Sequence, residues 1–92
     1  MEKVRRHIIF NGRVQGVGFR YRATYAARGL GVTGWVKNNW DGSVEMEAQG
    51  TEEQIHQMLV LLNKDSYIRI DRMDTKELPL EEDERGFCVR GY

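Results

Sequence analysis

The chain has 92 residues, of which 40% are hydrophobic and 30% charged, and its formal net charge is +0 at pH 7. This length predicts one domain, spanning 1–92, around one modest core. The composition excludes disordered and collagen-like chains. No apolar run approaches the roughly 18 residues of a membrane-spanning helix, and none near the N-terminus is long enough for a signal peptide. We therefore expect a cytoplasmic protein with no membrane partner.

Charge is distributed unevenly along the chain. Residues 1–37 carry eight Lys or Arg and one Glu, a balance of +7, whereas residues 38–92 carry six basic and thirteen acidic residues, a balance of −7. A surface with both signs favours solubility, and a basic end also attracts anions. Charge alone leaves both interpretations open.

The cysteine and histidine content argues against a disulfide and against a structural metal site. Cys88 is the only cysteine, so it has no partner within the chain, and we expect a small apolar or surface residue there. His7 and His56 are 49 residues apart and have no neighbouring cysteine. Structural metal sites need closer ligand spacing, so none is predicted.

The first predicted elements are a strand, a glycine-rich segment and a helix. The strand covers about 4–11, and it leads into "GRVQGVGFR" (12–20). A helix is predicted over about 20–28. Its apolar side chains recur at steps of four, three and four, which places them on one helical face; they are Phe19, Ala23, Ala26 and Leu30. Gly29 and Gly31 are interpreted as stop signals.

Two strands and a second helix follow. "VTGWVKN" (32–38) and "SVEMEAQ" (43–49) are strand candidates, and Asp41-Gly42 between them is a strong hairpin signal. "TEEQ" (51–54) has the spacing of a capping box, which predicts the start of a helix that ends near Lys64. The apolar face of this helix consists of Ile55, Met58, Leu59 and Leu62.

The last third of the chain is predicted to hold a fourth strand from about Tyr67, a solvated acidic loop at 77–85 and a short strand, "FCVR" (87–90). The order strand, helix, strand, strand, helix, strand is the ferredoxin-like βαββαβ pattern. We therefore predict an α+β sandwich with a mostly antiparallel sheet, two helices on one face and a short extra C-terminal strand. The opposite face of the sheet is left to water or a partner.

This topology is expected to bring the glycine-rich segment close to Asn38. The first and second strands of the pattern run parallel with the third between them, because the crossover through the helix is right-handed. Both strands then end at the same edge of the sheet. Arg20 and Asn38, which are 18 residues apart in sequence, are predicted to lie together there.

The glycine-rich segment also has the features of an anion cradle. Glycine adopts positive φ at little cost, so successive N–H groups can turn inward and form a nest. The next helix adds N–H groups and partial positive charge, and Arg20 adds a planar guanidinium suited to phosphate. The segment matches neither the Walker A loop nor the dinucleotide-binding fingerprint. From glycine spacing alone, a tight strand-to-helix connection explains it equally well.

Two segments together resemble the signatures of the acylphosphatase family. "GRVQGVGFR" resembles the phosphate-binding loop of that family through Gln15, Gly16, Val17 and Arg20. "GWVKNNWDGSVEMEAQG" (34–50) resembles its second signature through Gly34, Lys37, Asn38, Gly42, Val44 and Gly50. The two segments cover about a third of the chain.

The resemblance implies the ferredoxin-like fold and the hydrolysis of small acyl phosphates to a carboxylate and inorganic phosphate. It implies that Arg20 binds the substrate phosphate and that Asn38 positions the attacking water. The backbone amides of the loop would complete the phosphate site, contributed by Gln15, Gly16, Val17, Gly18, Phe19 and Arg20. It also implies that no metal or cofactor is required, because a carboxylate leaving group needs no general acid. A monomer is expected.

Other functions are possible on the same fold. An RNA-binding module would present aromatic and basic side chains on its open sheet, but the third strand presents Glu45, Glu47 and Gln49, so no nucleic-acid partner is predicted. A phosphate sensor would keep the cradle without turnover. A domain of a larger carbamoyl-handling protein is the third alternative, and a chain running from Met1 to Tyr92 favours a free-standing enzyme instead.

Four aromatic residues lie near the two signature segments. Trp35 and Trp40 flank the hairpin and are expected to pack against the protein. Tyr21 and Tyr25 are four residues apart on the first helix and are expected to be half-buried. The sequence does not identify the acyl group of the substrate.

Overall fold

Strands and helices follow one another in the predicted order. The computed structural model describes residues 2–91. Their elements are β1 (Lys3–Arg13), α1 (Phe19–Leu30), β2 (Thr33–Asn38), β3 (Val44–Thr51), α2 (Glu52–Lys64), β4 (Arg69–Leu78) and β5 (Phe87–Val89). The strands form one sheet in the order β4-β1-β3-β2-β5. All neighbours are antiparallel except β2 and β5, which are parallel. The ferredoxin-like α+β fold is confirmed.

The core lies between one face of the sheet and the two helices. Side chains alternate along a strand, so one set from the central strands points into the core; it includes Ile8, Phe10, Val36, Val44, Met46 and Ala48, all at most 1% exposed. The rings of Phe10 and Phe19 lie 4.9 Å apart between centroids. Burying a side chain of this size stabilises the fold by about 1.5–3 kcal/mol. Phe19 therefore anchors the first turn of α1 beside Arg20.

The N-terminus of α2 agrees with the prediction, whereas the C-terminus of α1 lies beyond the first predicted stop signal. α2 begins with the predicted capping box, in which the Thr51 hydroxyl accepts from the Gln54 N–H at 3.1 Å and the Gln54 side chain accepts from the Thr51 N–H at 2.9 Å. Gly29, in contrast, does not end α1. The helix continues to Leu30, and Gly31 is its C-cap. A glycine inside a helix weakens it without stopping it.

The strands β1 and β4 are displaced from their predicted bounds. β1 pairs with β3 only as far as Phe10, and it reaches Arg13 because its last three residues continue to pair with β4. β4 begins at Arg69 and runs to Leu78, so the first residues of the predicted acidic loop are strand. The length of β4 is set by its pairing with the long strand β1. The alternation of residues within β4 does not reveal this partner.

The outer face of the sheet, opposite the helices, is partly covered by the acidic segment after β4. Glu84 accepts hydrogen bonds from both terminal nitrogens of Arg5, at 2.8 and 3.1 Å, and Arg5 is only 2% exposed. The side chain of Gln49 exchanges two hydrogen bonds with the backbone of Glu81. The predicted solvated loop holds for most of 81–85, whose residues are exposed, but not for Glu84, because the buried Arg5 guanidinium requires an anionic partner.

The ion pair of Arg5 and Glu84 changes the protonation of the carboxyl group. Burial raises the pKa of Glu84, but the hydrogen bond and the charge of Arg5 lower it, and the net pKa lies below its ordinary value. Glu47 also contacts Arg5, at 2.8 Å. The Glu84 carboxylate therefore holds the segment after β4 against Arg5 and the sheet at neutral pH.

Membrane-spanning helices and metal-binding clusters are both absent from the described residues. No helix between residues 2 and 91 is long and apolar enough to cross a membrane. In the same range, no group of three or more His, Cys, Asp or Glu side chains could hold a metal ion.

Candidate active site

The connection from β1 to α1 forms a concave backbone surface. Gly16 and Gly18 have φ of 72° and 81°, in the left-handed region. A Cβ at either position would meet nothing within 4 Å, so backbone conformation, not crowding, requires glycine there. Gly18 is the N-cap of α1 and has no side chain to cap the helix. The first N–H groups of α1 are therefore not satisfied by a cap and can donate to an anion.

A cavity of about 180 Å³ opens at this connection. The loop contributes Val14, Gly16 and Gly18, the first turn of α1 contributes Phe19, Arg20 and Tyr21, and the end of β2 contributes Asn38. Arg20 and Asn38 thus line one cavity, as the topology predicts. Because they come from different elements, the tertiary fold is what places a guanidinium and an amide together.

Two residues of the predicted phosphate loop direct their side chains elsewhere. The Gln15 amide donates to the carbonyl oxygens of Asn39 and Ser43, the latter at 2.8 Å. Val17 is partly buried against the hydrophobic core. Neither residue lines the cavity, so the predicted phosphate-binding role of these two residues is left to their backbone amides. The Gln15 side chain instead ties the glycine loop to the β2–β3 connection, a role that the sequence analysis missed because nothing local in the sequence indicates its partner.

The β2–β3 connection holds Asn38 at the end of its strand. Asn38 pairs with Val44 across the hairpin. The Asn39 N–H donates to the Ser43 carbonyl at 2.9 Å, and the Gly42 N–H donates to the Asn39 carbonyl at 3.2 Å. These bonds close a five-residue loop at 39–43. They constrain the backbone next to Asn38.

Side chains inside this loop brace it further. The Asp41 carboxylate accepts from the Ser43 N–H at 2.9 Å and from the Ser43 hydroxyl at 2.7 Å. These hydrogen bonds lower the pKa of Asp41. Asn39 donates to the Ser43 hydroxyl oxygen at 3.0 Å. The predicted hairpin signal at Asp41-Gly42 is therefore confirmed as a turn, and Ser43 is its buried centre.

The sequence and the fold both match one protein family. The family model described as Acylphosphatase matches residues 6–89 of the chain. This chain belongs to the acylphosphatase family. A family member from Geobacillus thermodenitrificans, named acylphosphatase, is 44% identical over 84 residues, which cover 90% of this chain and 89% of the relative.

Solved structures place the family fold in two settings. The crystal structure of acylphosphatase from Bacillus subtilis superposes with a TM-score of 0.84 at 32% identity, and the match covers 94% of this chain and 97% of the other. Full-length HypF, in its phosphate- and nucleotide-bound form, contains a similar fold with a TM-score of 0.86 at 27% identity. The latter match covers 98% of this chain but 12% of HypF.

The first carboxylate of β3 lies outside the cavity of this acylphosphatase-family chain. Glu45, on β3, contacts the Nε2 atom of His7 at 2.7 Å and Lys37 at 3.9 Å. The hydrogen bond with His7 lowers the pKa of Glu45 most, against the opposing effect of burial. Among the described residues that line the cavity, none is Asp, Glu or His. The cavity therefore offers hydrogen-bond donors, one guanidinium and one amide, but no carboxylate or imidazole for proton transfer.

The aromatic residues near the site depart from expectation in part. Trp35 is buried, as predicted, and the Arg90 guanidinium lies 4.7 Å from its ring centroid. Trp40 is fully exposed at the tip of the hairpin, so the packing prediction is wrong there. Tyr21 and Tyr25 are 71% and 74% exposed, not half-buried. They lie on the side of α1 that faces away from the core, where no strand covers them.

Proposed function

We propose that this protein hydrolyses the carboxyl-phosphate bond of small acyl phosphates. The observation that carries this proposal is the cavity in which the glycine loop, Arg20 and Asn38 meet, in a chain of the acylphosphatase family. The products are a carboxylate and inorganic phosphate. The whole chain, 1–92, acts as one domain in this reaction.

The glycine loop and Arg20 bind the phosphoryl group. The backbone N–H groups of 15–20 surround its oxygens, and the N-terminus of α1 adds partial positive charge. The Arg20 guanidinium matches two phosphate oxygens at once. These donors stabilise the negative charge on the equatorial oxygens in the transition state, which is the main requirement of phosphoryl transfer.

Asn38 positions the attacking water. Its side-chain carbonyl accepts a hydrogen bond from the water and its amide group donates elsewhere. The water oxygen bonds to phosphorus while the bond from phosphorus to the acyl oxygen breaks, and the carboxylate leaves with the bonding electron pair. The proton of the water passes to a phosphate oxygen of the substrate.

The leaving group explains why this cavity can work without an acidic side chain. A carboxylic acid has a pKa of about 4, so its anion leaves at neutral pH without being protonated. The reaction then needs positioning and charge stabilisation more than acid–base chemistry. The same reasoning underlies our inference that the protein needs no metal and no cofactor.

The experiment that tests this function is the hydrolysis of benzoyl phosphate in the presence of a chelator. We expect turnover by the natural sequence. We expect Arg20→Gln to weaken both binding and rate, and Asn38→Ala to lower kcat with less change in KM, each by at least about 10²-fold, as for other preorganised donors. The matched controls are Arg72→Gln and Asn63→Ala, at exposed positions outside this cavity.

Three results would contradict the proposal in different ways. Full kcat in Asn38→Ala would remove the water-positioning role. Turnover that the chelator abolishes would contradict the metal-independent mechanism. Phosphate binding that needs Arg20, without turnover by the natural sequence, would make the glycine loop a phosphate sensor.

We infer further that the protein acts in the cytoplasm as a monomer, with neither a nucleic acid nor a membrane as partner. The acidic segment around Glu84 covers part of the sheet face on which RNA-binding modules of this fold stack bases. The free edge of β4 carries charged side chains, including Arg69, Arg72 and Lys76, which oppose edge-to-edge pairing. Sedimentation equilibrium should give 10.7 kDa, and twice this mass would overturn the monomer.

A further inference from the structure

We infer that Tyr21, backed by Tyr25, forms the subsite for the acyl group and makes the protein prefer aromatic acyl phosphates to acetyl phosphate. This inference rests on the proposed function, and it names the substrate class of the same cavity. It assigns Tyr21 as a specificity-determining residue and leaves the chemistry to Arg20 and Asn38.

Displacement at phosphorus fixes the direction in which the acyl group leaves. The attacking and leaving oxygens lie roughly in line, on opposite sides of the phosphorus atom. If Asn38 holds the water, then the acyl oxygen points away from Asn38. The acyl group therefore leaves the cavity across the wall formed by the glycine loop and the first turn of α1.

Most residues of this wall offer no free side chain to an acyl group. Of the described residues that line it, Val14 and Phe19 are buried in the core, and Gly16 and Gly18 have no side chain. Arg20 is assigned to the phosphate. Tyr21 is the remaining lining residue, and its large aromatic side chain is 71% exposed. Tyr21 therefore offers the large exposed side chain of this wall that an acyl group can contact.

Tyr21 and Tyr25 together form an aromatic surface on α1. The rings of Tyr21 and Tyr25 are stacked, with centroids 6.3 Å apart and an interplanar angle of 17°. Tyr25 is 74% exposed, so the pair forms an aromatic surface that extends the wall along α1. Stacking restricts the Tyr21 ring before substrate binds, so less side-chain entropy is lost on binding. A planar apolar acyl group such as benzoyl can pack on this surface, whereas an acetyl group has little area to offer.

A second cavity, of about 390 Å³, adjoins the other side of Asn38 and includes the exposed Trp40. It could also receive an aromatic group. It lies next to the residue that holds the water, however, and in-line displacement directs the acyl group away from there. Trp40 is therefore the alternative that the experiment must separate from Tyr21.

The experiment compares kcat/KM for benzoyl phosphate and for acetyl phosphate. We expect the ratio of the two values to fall about three- to tenfold in Tyr21→Ala, the size of one aromatic contact, and to fall less in Tyr25→Ala. The change should lie mainly in KM for benzoyl phosphate, and Tyr21→Phe should keep the ratio. The matched control is Tyr67→Ala, which removes a tyrosine of similar exposure (67%) that does not line the cavity.

Competition by inorganic phosphate separates the acyl subsite from the phosphate site. If Tyr21 contacts only the acyl group, the inhibition constant of phosphate should change by less than about twofold in Tyr21→Ala. An unchanged substrate ratio in Tyr21→Ala, or a fall in Trp40→Ala instead, would overturn the inference while the proposed function stands. Absence of turnover of both substrates by the natural sequence would overturn the proposed function itself, and the inference with it.

Discussion

Gln15 shows how a single side chain can serve a site without lining it. Its amide donates to the carbonyl oxygens of Asn39 and Ser43, and both belong to the loop that follows Asn38. The glycine loop and the hairpin are far apart in sequence, and this side chain holds them at a set distance. We therefore regard Gln15 as a positioning residue for Asn38.

Gln15→Ala should lower the free energy of unfolding by about 1–3 kcal/mol, because two partly buried hydrogen bonds of about 0.5–1.5 kcal/mol each are lost while each carbonyl keeps its backbone donor. It should also lower kcat more than it changes KM, since the phosphate donors stay in place while Asn38 shifts. Urea unfolding and steady-state kinetics measure the two effects. Gln57→Ala is the matched control, because Gln57 is exposed on α2. An effect on stability with unchanged kcat would make Gln15 a structural residue only.

At the scale of elements, glycine has different roles at the N-terminus of α1 and in its interior. Gly18, at the N-cap, has φ of 81°, whereas Gly29 lies inside the helix. A Cβ at either position would meet nothing within 4 Å. An added Cβ therefore causes no steric clash at Gly18 or at Gly29. Backbone conformation alone decides whether alanine at each position stabilises or destabilises the fold.

We expect Gly18→Ala to lower the free energy of unfolding by about 1–2 kcal/mol, the cost of a left-handed conformation for a residue with a Cβ. Gly29→Ala should raise it by about 0.5–1 kcal/mol, because alanine is the better helix former. Only Gly18→Ala should also weaken inhibition by inorganic phosphate, since Gly18 lines the cavity. Thermal unfolding of the pair checks the signs, and equal shifts would refute the conformational argument.

For the whole molecule, the Arg5–Glu84 ion pair joins the segment between β4 and β5 to the outer face of the sheet. The segment leads directly into β5, which pairs with β2. β2 also ends at Asn38, so the strand that pairs with β5 is the one that carries a residue of the candidate site. Removing the ion pair therefore tests how much the contact of this segment with the sheet contributes to the stability of the fold.

The pKa of Glu84 is lower in the folded protein than its ordinary value of 4.5. A depressed carboxyl pKa contributes stability that is present above the ordinary value and is lost as the pH falls through the folded value. Glu84→Gln should thus lower the free energy of unfolding by about 1–3 kcal/mol at pH 7, and this difference should shrink below about pH 4. Urea unfolding at several pH values measures it. Glu82→Gln, which removes a carboxylate at an exposed position of the same segment, is the matched control.

Local patterns predicted most of the elements because their causes are local. The capping box at Thr51 and the alternation of Val44, Met46 and Ala48 depend on residues a few positions apart, and both are confirmed. The strand order follows from the handedness of crossovers, which holds for any sequence with this element order. That rule also predicted the meeting of Arg20 and Asn38.

The features that could not be predicted depend on partners distant in the chain. β4 extends to Leu78 because β1 runs beside it, and Glu84 is drawn onto the sheet by Arg5, 79 residues away. The side-chain direction of Gln15 and the exposure of Tyr21 likewise depend on what the fold places near them.

By itself, the sequence determined the fold class and the family, and it predicts which residues bind a phosphate, since these depend on periodicity, glycine positions and short motifs. Only the tertiary structure decided which side chains reach the cavity, which brace it and which stay exposed beside it. The physical reason is that burial, ion pairing and hydrogen bonding are properties of neighbours in space. For Gln15, Tyr21 and Glu84, those neighbours are not the ones that the sequence places beside them.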